Sequence, residues 1–355
     1  MSATWGKKIR YTIFGESHGK GIGMTIDGLP PGFEIDLAEV KREMARRAPG
    51  QNLLSTDRQE KDAFVIWSGF INGKTTGTPL CAIIENQDQR SADYEAMDQK
   101  FRPGHADYSG YIKYNGFNDI RGGGHFSGRL TAPLVFAGAV AKQLLRLEGI
   151  TIGSHIQRIG SISEPHFDAV NIEHEFLQQL SHQEFSVIDP LISKQMQECI
   201  LSAKSAGDSV GGVIEAAAIH LPAGCGDPFF DSLESTLSHL LFSIPGIKGV
   251  EFGSGFAIAE MHGSVSNDAI YNQNGIIKTS TNHNGGILGG ITNGMPLIFR
   301  VAMKPTASIH LEQHTVNAKG ENVTLIVGGR HDPCIVPRAV PVIEAVTAMA
   351  ILDIL

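Results

Sequence analysis

The sequence predicts a protein of mixed helices and strands, folded as one large domain over residues 1–355. Short runs of β-type composition, such as 9–14 (I-R-Y-T-I-F) and 210–221, are interspersed with longer helical patterns, such as 130–147 and 341–355. No internal repeat and no linker-like stretch separates these segments. Hydrophobic residues make up 42% and charged residues 19% of the chain, enough for a substantial core. Glycine is over-used, at 41 of 355 residues or about 12% against a usual ~7%. With no collagen period and no low-complexity tract, these glycines mark turns and ligand-binding loops.

A net charge of −8 argues against nucleic acid or an anionic membrane as the main partner. An anion site then has to be a local concentration of arginine and lysine. Cys81, Cys199, Cys225 and Cys334 are widely spaced and form no C-x-x-C, so they read as reduced thiols of a cytoplasmic protein and neither as a zinc site nor as a redox pair. Residues 1–10 lack the apolar stretch of a signal peptide, and no run is expected to approach the length of a membrane span.

The strand at 9–14 ends in G-E-S-H-G, which holds His18 between glycines at a strand end. Such a histidine is placed for chemistry, or it faces solvent from a polar turn. Asp36-Leu-Ala-Glu39 reads as a capping box opening a helix with Leu37, Val40 and Met44 as its buried stripe. Arg46 and Arg47 fall in its last turn, where cations suit the helix dipole, before Ala48-Pro49-Gly50 stops it. Residues 51–61 are polar and read as a mobile loop. Strands are expected at 64–71 and 80–85, joined by a hairpin turn whose G-F-I-N-G-K-T is one residue short of a phosphate-binding P-loop and leads into a strand. A short helix is expected at 94–101. It is followed by R-P-G-H-A-D (102–107), a stiff turn that presents Arg102 and His105.

The next stretch, R-G-G-G-H-F-S-G-R (121–129), runs straight into an apolar segment at 130–147 that reads as a helix buried on most of its circumference. The glycine loop is therefore expected at a helix N-terminus, where main-chain N–H groups favour an anion and Arg121 and Arg129 bracket it. A tight turn with two surface arginines is the plainer alternative. Further along, 151–159 is strand-like, 163–185 is polar and histidine-rich and reads as surface, and Asp189-Pro190 opens a helix that Gly207 closes. Strands at 296–303 and 323–327 end in K-P-T-A-S (304–308) and G-G-R-H-D-P-C (328–334). Strand ends that deliver Gly, Arg, Lys, Ser and Thr are a general way to build a phosphate site.

Taken together, G-E-S-H-G, R-P-G-H-A-D, R-G-G-G with its following S-G-R, G-G-I-L-G-G (285–290), K-P-T-A-S and G-R-H-D-P-C resemble the chorismate synthase family, over essentially the whole length and in family order. The resemblance implies an α+β fold, a β-α-β sandwich with helices packed between two mainly antiparallel sheets. It implies a 1,4-anti elimination of phosphate from 5-enolpyruvylshikimate 3-phosphate, giving chorismate, with reduced FMN required and no net redox change. NADPH enters as an indirect reductant, and the usual assembly is a cytoplasmic homotetramer. By the same resemblance His18 protonates the departing phosphate, His105 acts on the reduced flavin, and Asp332 pairs with the flavin to accept the C6 proton. Flavin contacts carry over to His125, Phe126, Ser127, Pro245, Gly246, Gly289, Lys304, Pro305, Thr306, Ala307, Ser308 and Arg330. Arg46, Arg47, Arg102, Arg121 and Arg129 are implied anion binders on the substrate and nicotinamide side, and His331 is implied to be structural.

The chain departs from the commoner family pattern at Ala48 and Leu53, where relatives often place arginine, and at His125-Phe126, which stand in place of Arg-Ser. Two other functional classes remain open at this level. A flavin oxidoreductase would consume reductant steadily, and a non-catalytic flavin or anion binder would lack the intact His18, His105 and Asp332.

Overall fold

A computed structural model describes residues 3–50, 54–56, 60–87, 100–329 and 331–355. The expected helix at 94–101 lies mostly outside these residues, and Phe101 itself is not helical. The chain forms two compact units. The first is built from Met1–Ala137, Gln197–Gly211 and Pro305–Arg338, the second from Gly138–Met196, Gly212–Lys304 and Ala339–Leu355.

The first unit contains a five-stranded antiparallel sheet of β1 (Thr4–Trp5), β2 (Arg10–Gly15), β3 (Gly21–Asp27), β4 (Phe64–Ser68) and β5 (Leu80–Glu85), in the order β1-β2-β3-β5-β4. Register follows the apolar pattern. Ile22, Met24 and Ile26 alternate along β3 and pair across to Ile84, Ala82 and Leu80, and all six are buried. His18 rides on the loop between β2 and β3. Helix α1 (Leu37–Arg47) is capped as the sequence predicts, with Asp36 Oδ1 accepting from the N–H groups of Ala38 (2.8 Å) and Glu39 (3.1 Å). The predicted strand at 64–71 stops at Ser68. Gly69 turns the chain, and Phe70–Ile71 pairs with Lys74–Thr75 in a separate small hairpin. Helix α2 (Asp107–Lys113) follows the R-P-G-H turn.

The second unit holds another antiparallel sheet of β6 (Thr151–Ile159), β7 (Ile162–Ser163), β8 (Gly212–Ile219), β9 (Ile247–Phe252) and β10 (Leu297–Met303), in the order β9-β10-β8-β6-β7. Two antiparallel sheets with separate helices make the α+β class expected from the sequence. Helices α3 (Thr131–Leu147), α5 (Pro190–Ser205) and α7 (Val336–Ile354) each pass through a boundary between the units, and α6 (Leu233–Ser243) is capped by Ser232. Within the second unit α3 and α7 touch backbone to backbone. A Cβ added to Gly138 would lie 2.3 Å from Ala345 Cα.

Three sequence expectations need correction. The stretch 163–185 is not plain surface. It contains α4 (His174–His182), whose Leu177 and Leu180 pack with Phe167, Ala217, Ile219 and Ile298 in a buried cluster. Its polar composition hid a helix whose inward face is Leu177, Leu180 and the partly buried Phe176. The C-terminal helix starts at Val336 and carries Pro341 inside it, so proline was misread as the helix start. Finally, the run Gly128–Leu147 is long and apolar enough to cross a membrane, contrary to the expectation that none was. Of its most apolar window 72% is buried, so the apolar surface is spent on the core.

The second unit also buries a charge cluster. His155 is fully buried, with Nδ1 on Glu164 and Nε2 3.0 Å from Glu215 Oε2, while His166 and the N–H of Phe167 reach the same Glu215 carboxylate at 2.7 Å each. Burial opposes ionisation of Glu215, but the hydrogen bonds from His155 and His166 outweigh it and hold its carboxyl at about 2. A depressed carboxyl contributes stability that is present above its unfolded value, about 4.3, and lost as pH falls through the folded one. The melting temperature is therefore expected to drop between roughly pH 5 and pH 2, and Glu215→Gln is expected to flatten that drop. An acid limb of unchanged steepness in the variant would contradict this account.

Candidate active site

Three consecutive glycines with positive φ shape the centre of the first unit: Gly122 (59°), Gly123 (85°) and Gly124 (53°). Left-handed geometry at three successive positions is open to glycine and strained for any residue with a Cβ. The loop folds back onto two histidines. A Cβ on Gly122 would lie 2.0 Å from His18 Nδ1 and Cε1, and one on Gly123 would lie 3.0 Å from His105 Nε2 and Cε1. The carbonyl of Gly124 accepts the N–H of Ser17 at 3.1 Å, tying the loop to the segment that carries His18. His18 is buried and His105 is partly open.

The loop leads directly into a helical stretch, as the sequence predicts, with the three glycines just ahead of its cap. A short turn, Gly128–Leu130, intervenes before α3, and Ser127 caps that turn by accepting the Arg129 N–H at 3.3 Å. His125 and Phe126, the departures from the family pattern, hold the loop in place. His125 Nδ1 donates to the Gly15 carbonyl at 2.9 Å, and Phe126 sits over Gly110 of α2, its ring 6.2 Å from that of Tyr114.

Every arginine singled out from the sequence in this unit and described is engaged by a carboxylate. Arg102 makes a two-point pair with Asp107, Nε to Oδ2 at 2.7 Å and Nη2 to Oδ1 at 2.8 Å, and its Nη1 donates to Ser308 Oγ at 3.2 Å. Arg121 makes a similar pair with Asp119 on the surface, and Arg46 reaches Glu43 at 3.0 Å. Arg47 and Arg129 converge on Asp62. Arg47 Nε is 2.8 Å from Oδ2, Arg129 Nη1 bonds Oδ1, and Arg129 Nε also meets Glu60 at 3.2 Å. Burial works against the charge on Asp62, but Arg47 and Arg129 outweigh it and keep the carboxyl below its usual range. Burial also pulls the Arg47 guanidinium down to about 10, with Asp62 opposing, so it stays protonated near neutral pH. Arg47 Nη1 further donates to Thr131 Oγ1 (3.1 Å), while its buried Nη2 has no hydrogen-bond partner among the described residues.

Asp332 is held at both oxygens. Oδ1 accepts the Thr56 N–H at 2.9 Å and Oδ2 pairs with Arg338, whose Nε also donates to the Arg47 carbonyl at 2.9 Å. His331 turns away and donates Nε2–H to the Gly328 carbonyl at 2.9 Å. Arg330 lies outside the described residues. A cavity of about 810 Å³ opens beside the 102–105 turn and is lined by Arg102, His105, Tyr108, His314, Thr315 and Asn322, among others. In the second unit, Lys304 donates its backbone N–H to the Gly246 carbonyl at 3.0 Å, next to Pro245, and Gly289 lies at the turn of the Ile287–Leu288/Ile291–Thr292 hairpin.

Sequence reasoning missed Asp62, Glu60, Asp107 and Arg338. Residues 51–61 looked like a polar loop, yet Leu54, Ser55, Thr56 and Glu60 are buried, and Asp62 just after them takes a left-handed φ of 49°. Asp107 was in view as the last residue of R-P-G-H-A-D, and its spacing of two from His105 was the available signal.

The glycine loop makes a direct prediction. Gly122→Ala is expected to cost about 1–3 kcal/mol through a strained φ and the His18 contact. Gly128→Ala, which meets nothing within 4 Å and has no positive φ, is expected to be nearly neutral or slightly stabilising. Thermal melts of both variants check this, and equal melting temperatures would refute it.

Residues 9–355 match the family model described as Chorismate synthase. The chain is 47% identical over 349 residues to the chorismate synthase of Thermococcus kodakarensis, covering 98% of this chain and 96% of that protein. It is 46% identical over 356 residues to that of Dehalococcoides mccartyi, covering 100% and 96%. A solved chorismate synthase crystal structure superposes with a TM-score of 0.77 at 31% identity, covering 99% of this chain and 92% of that one. On sequence over its full length and on fold, the chain belongs to the chorismate synthase family.

Proposed function

We propose that this chain converts 5-enolpyruvylshikimate 3-phosphate to chorismate by 1,4-anti elimination of phosphate, acting as a carbon–oxygen lyase in the last step of the shikimate pathway towards aromatic amino acids. The observation that carries the reading, within a full-length family match, is the pair of histidines set against adjacent glycines of one loop.

The substrate brings two carboxylates and a phosphate. A guanidinium held along one edge by a carboxylate keeps its other edge for an incoming anion. Arg47 has that form, with Asp62 on Nε and Nη2 unclaimed. Each charge-assisted hydrogen bond made this way contributes roughly 1.5–3 kcal/mol. His18, shielded from water by the Gly122 backbone, holds the proton that leaves with the phosphate oxygen. Asp332, fixed by Thr56 and Arg338, is the acceptor for the C6 proton.

The residues present fit reduced FMN. The buried hydroxyls of Ser17 and Thr306 have no hydrogen-bond partner among the described residues, and they suit a ligand rich in carbonyl and phosphate oxygens. Thr306 and Ser308, with Pro305 and Ala307 beside and between them, would hold it in the first unit, where His105 would act on it as a catalytic group, and Ser127 would offer a hydroxyl. His125 and Phe126 keep only main-chain contacts in this reading, because their side chains serve the loop itself. Lys304, Pro245, Gly246 and Gly289 retain the role the family implies, as does Arg330. When bound, reduced FMN supplies transient electron density without net redox change, with NADPH as its indirect reductant. The assembly in this reading is a cytoplasmic homotetramer. Exposed Phe229 (88%), Phe230 (92%) and Phe256 (87%) support burial against other copies.

Anaerobic incubation of the protein with reduced FMN and 5-enolpyruvylshikimate 3-phosphate is expected to release chorismate and phosphate in equal amounts while the reduced flavin persists. Folded protein that yields no product would sink the assignment, and stoichiometric flavin oxidation would indicate an oxidoreductase. His18→Ala and Asp332→Ala are expected to bind flavin yet lose about 10²–10⁴ in kcat. Near-normal turnover in either would remove the role given to it. Light scattering is expected to return the mass of four chains, and a monomer would overturn that part.

A further inference from the structure

We infer that Asp107 is a positioning residue that fixes the tautomer of His105, leaving Nε2 bare towards the glycine loop. Three observations meet here. His105 Nδ1 lies 2.6 Å from Asp107 Oδ1. Asp107 is itself gripped by Arg102 at three points: the backbone N–H on Oδ2 at 3.0 Å, Nε on Oδ2 at 2.7 Å and Nη2 on Oδ1 at 2.8 Å. The opposite edge of the ring, Nε2 and Cε1, faces Gly123.

Burial opposes the charge on Asp107, but hydrogen bonds from Arg102 and His105 outweigh it and hold the carboxyl well below its usual range. An ionised carboxylate only accepts, and a guanidinium only donates. At 2.6 Å the hydrogen between His105 and Asp107 must therefore sit on Nδ1. The 3.1 Å approach of Arg102 Nη2 to the same Nδ1 is then a contact between two donors sharing one acceptor, Oδ1, and not a hydrogen bond. Neutral His105 carries its lone pair on Nε2, on the side of Gly123. Free histidine samples both tautomers, so a carboxylate on Nδ1 sets which nitrogen does chemistry.

Geometry also separates this role from plain support. Asp107 opens α2, its carboxylate ties that helix to the 102–105 turn, and Ser308 steadies Arg102 from the other side at 3.2 Å. Asn at 107 preserves the shape but has a single acceptor oxygen. The two Arg102 donors on the Oδ2 side claim that oxygen, and the amide NH₂ then faces Nδ1. Nδ1 must become an acceptor, and the proton moves to Nε2. The importance of this for turnover rests on the role proposed for His105 above, whereas the tautomer assignment does not.

The test is nitrogen NMR on [15N]histidine-labelled full-length protein, with the His105 signals assigned by their loss in His105→Gln. In the wild type, at a pH where His105 is neutral, Nδ1 is expected in the protonated range and Nε2 in the unprotonated range. Asp107→Asn is expected to invert this pattern, and to lower kcat by about 10²–10⁴ with KM nearly unchanged. A wild-type Nε2–H tautomer overturns the inference whether or not Asp107→Asn folds. An uninverted pattern in folded Asp107→Asn, or inversion with unchanged kcat, overturns the positioning role. Normal turnover by His105→Gln would instead overturn the role proposed for His105 while the tautomer assignment stands.

Discussion

Two imidazoles are pressed against the bare backbone of adjacent glycines, and the centre of the first unit depends on that contact. Consecutive Cα atoms are about 3.8 Å apart. His18 against Gly122 and His105 against Gly123 are therefore indexed to neighbouring positions of a single peptide. A Cβ at Gly122 would collide with His18 and one at Gly123 would crowd His105, so the approach depends on bare backbone. The surrounding devices keep that peptide in place: Gly124 bonded to Ser17, His125 to Gly15, and Phe126 seated on α2.

The charge pattern reconciles a chain of net charge −8 with a site for polyanions. The arginines are not loose cations. Apart from the surface pair of Arg121 with Asp119, they are held in largely buried pairs, most tightly where Asp62 bridges Arg47 and Arg129. Desolvation offsets much of the Coulombic attraction in such pairs, so their contribution is better seen as orientation than as stability. A guanidinium already immobilised on one edge loses little entropy when an anion reaches the other.

Much of this was legible in the residues, and unevenly so. Helix α1 announced itself through Asp36 and a three-four apolar spacing. The two histidines and the triple glycine could be picked out because few structural reasons place such residues together. What could not be read was their partnership. Asp62 lies in a stretch whose polarity suggested solvent, and its burial follows only from two arginines arriving from distant parts of the chain. The glycine loop was readable as the lead-in to a helix, and Ser127 caps that helical stretch where the loop ends. Proline misled at 341, where the helix continues through it. Long-range pairing, more than local propensity, accounts for the misses.

The first unit is stitched from three separated stretches, and its key contacts span them. Thr56 meets Asp332 across 276 residues, and Arg102 meets Ser308 across 206. A nascent chain emerging from the ribosome thus exposes His18, His105 and the glycine loop long before the segments that complete their surroundings are synthesised. Vectorial synthesis cannot finish this unit early. Loop closure of that length is slow relative to local helix formation. Competence arrives late and all at once, with the last tenth of the polypeptide.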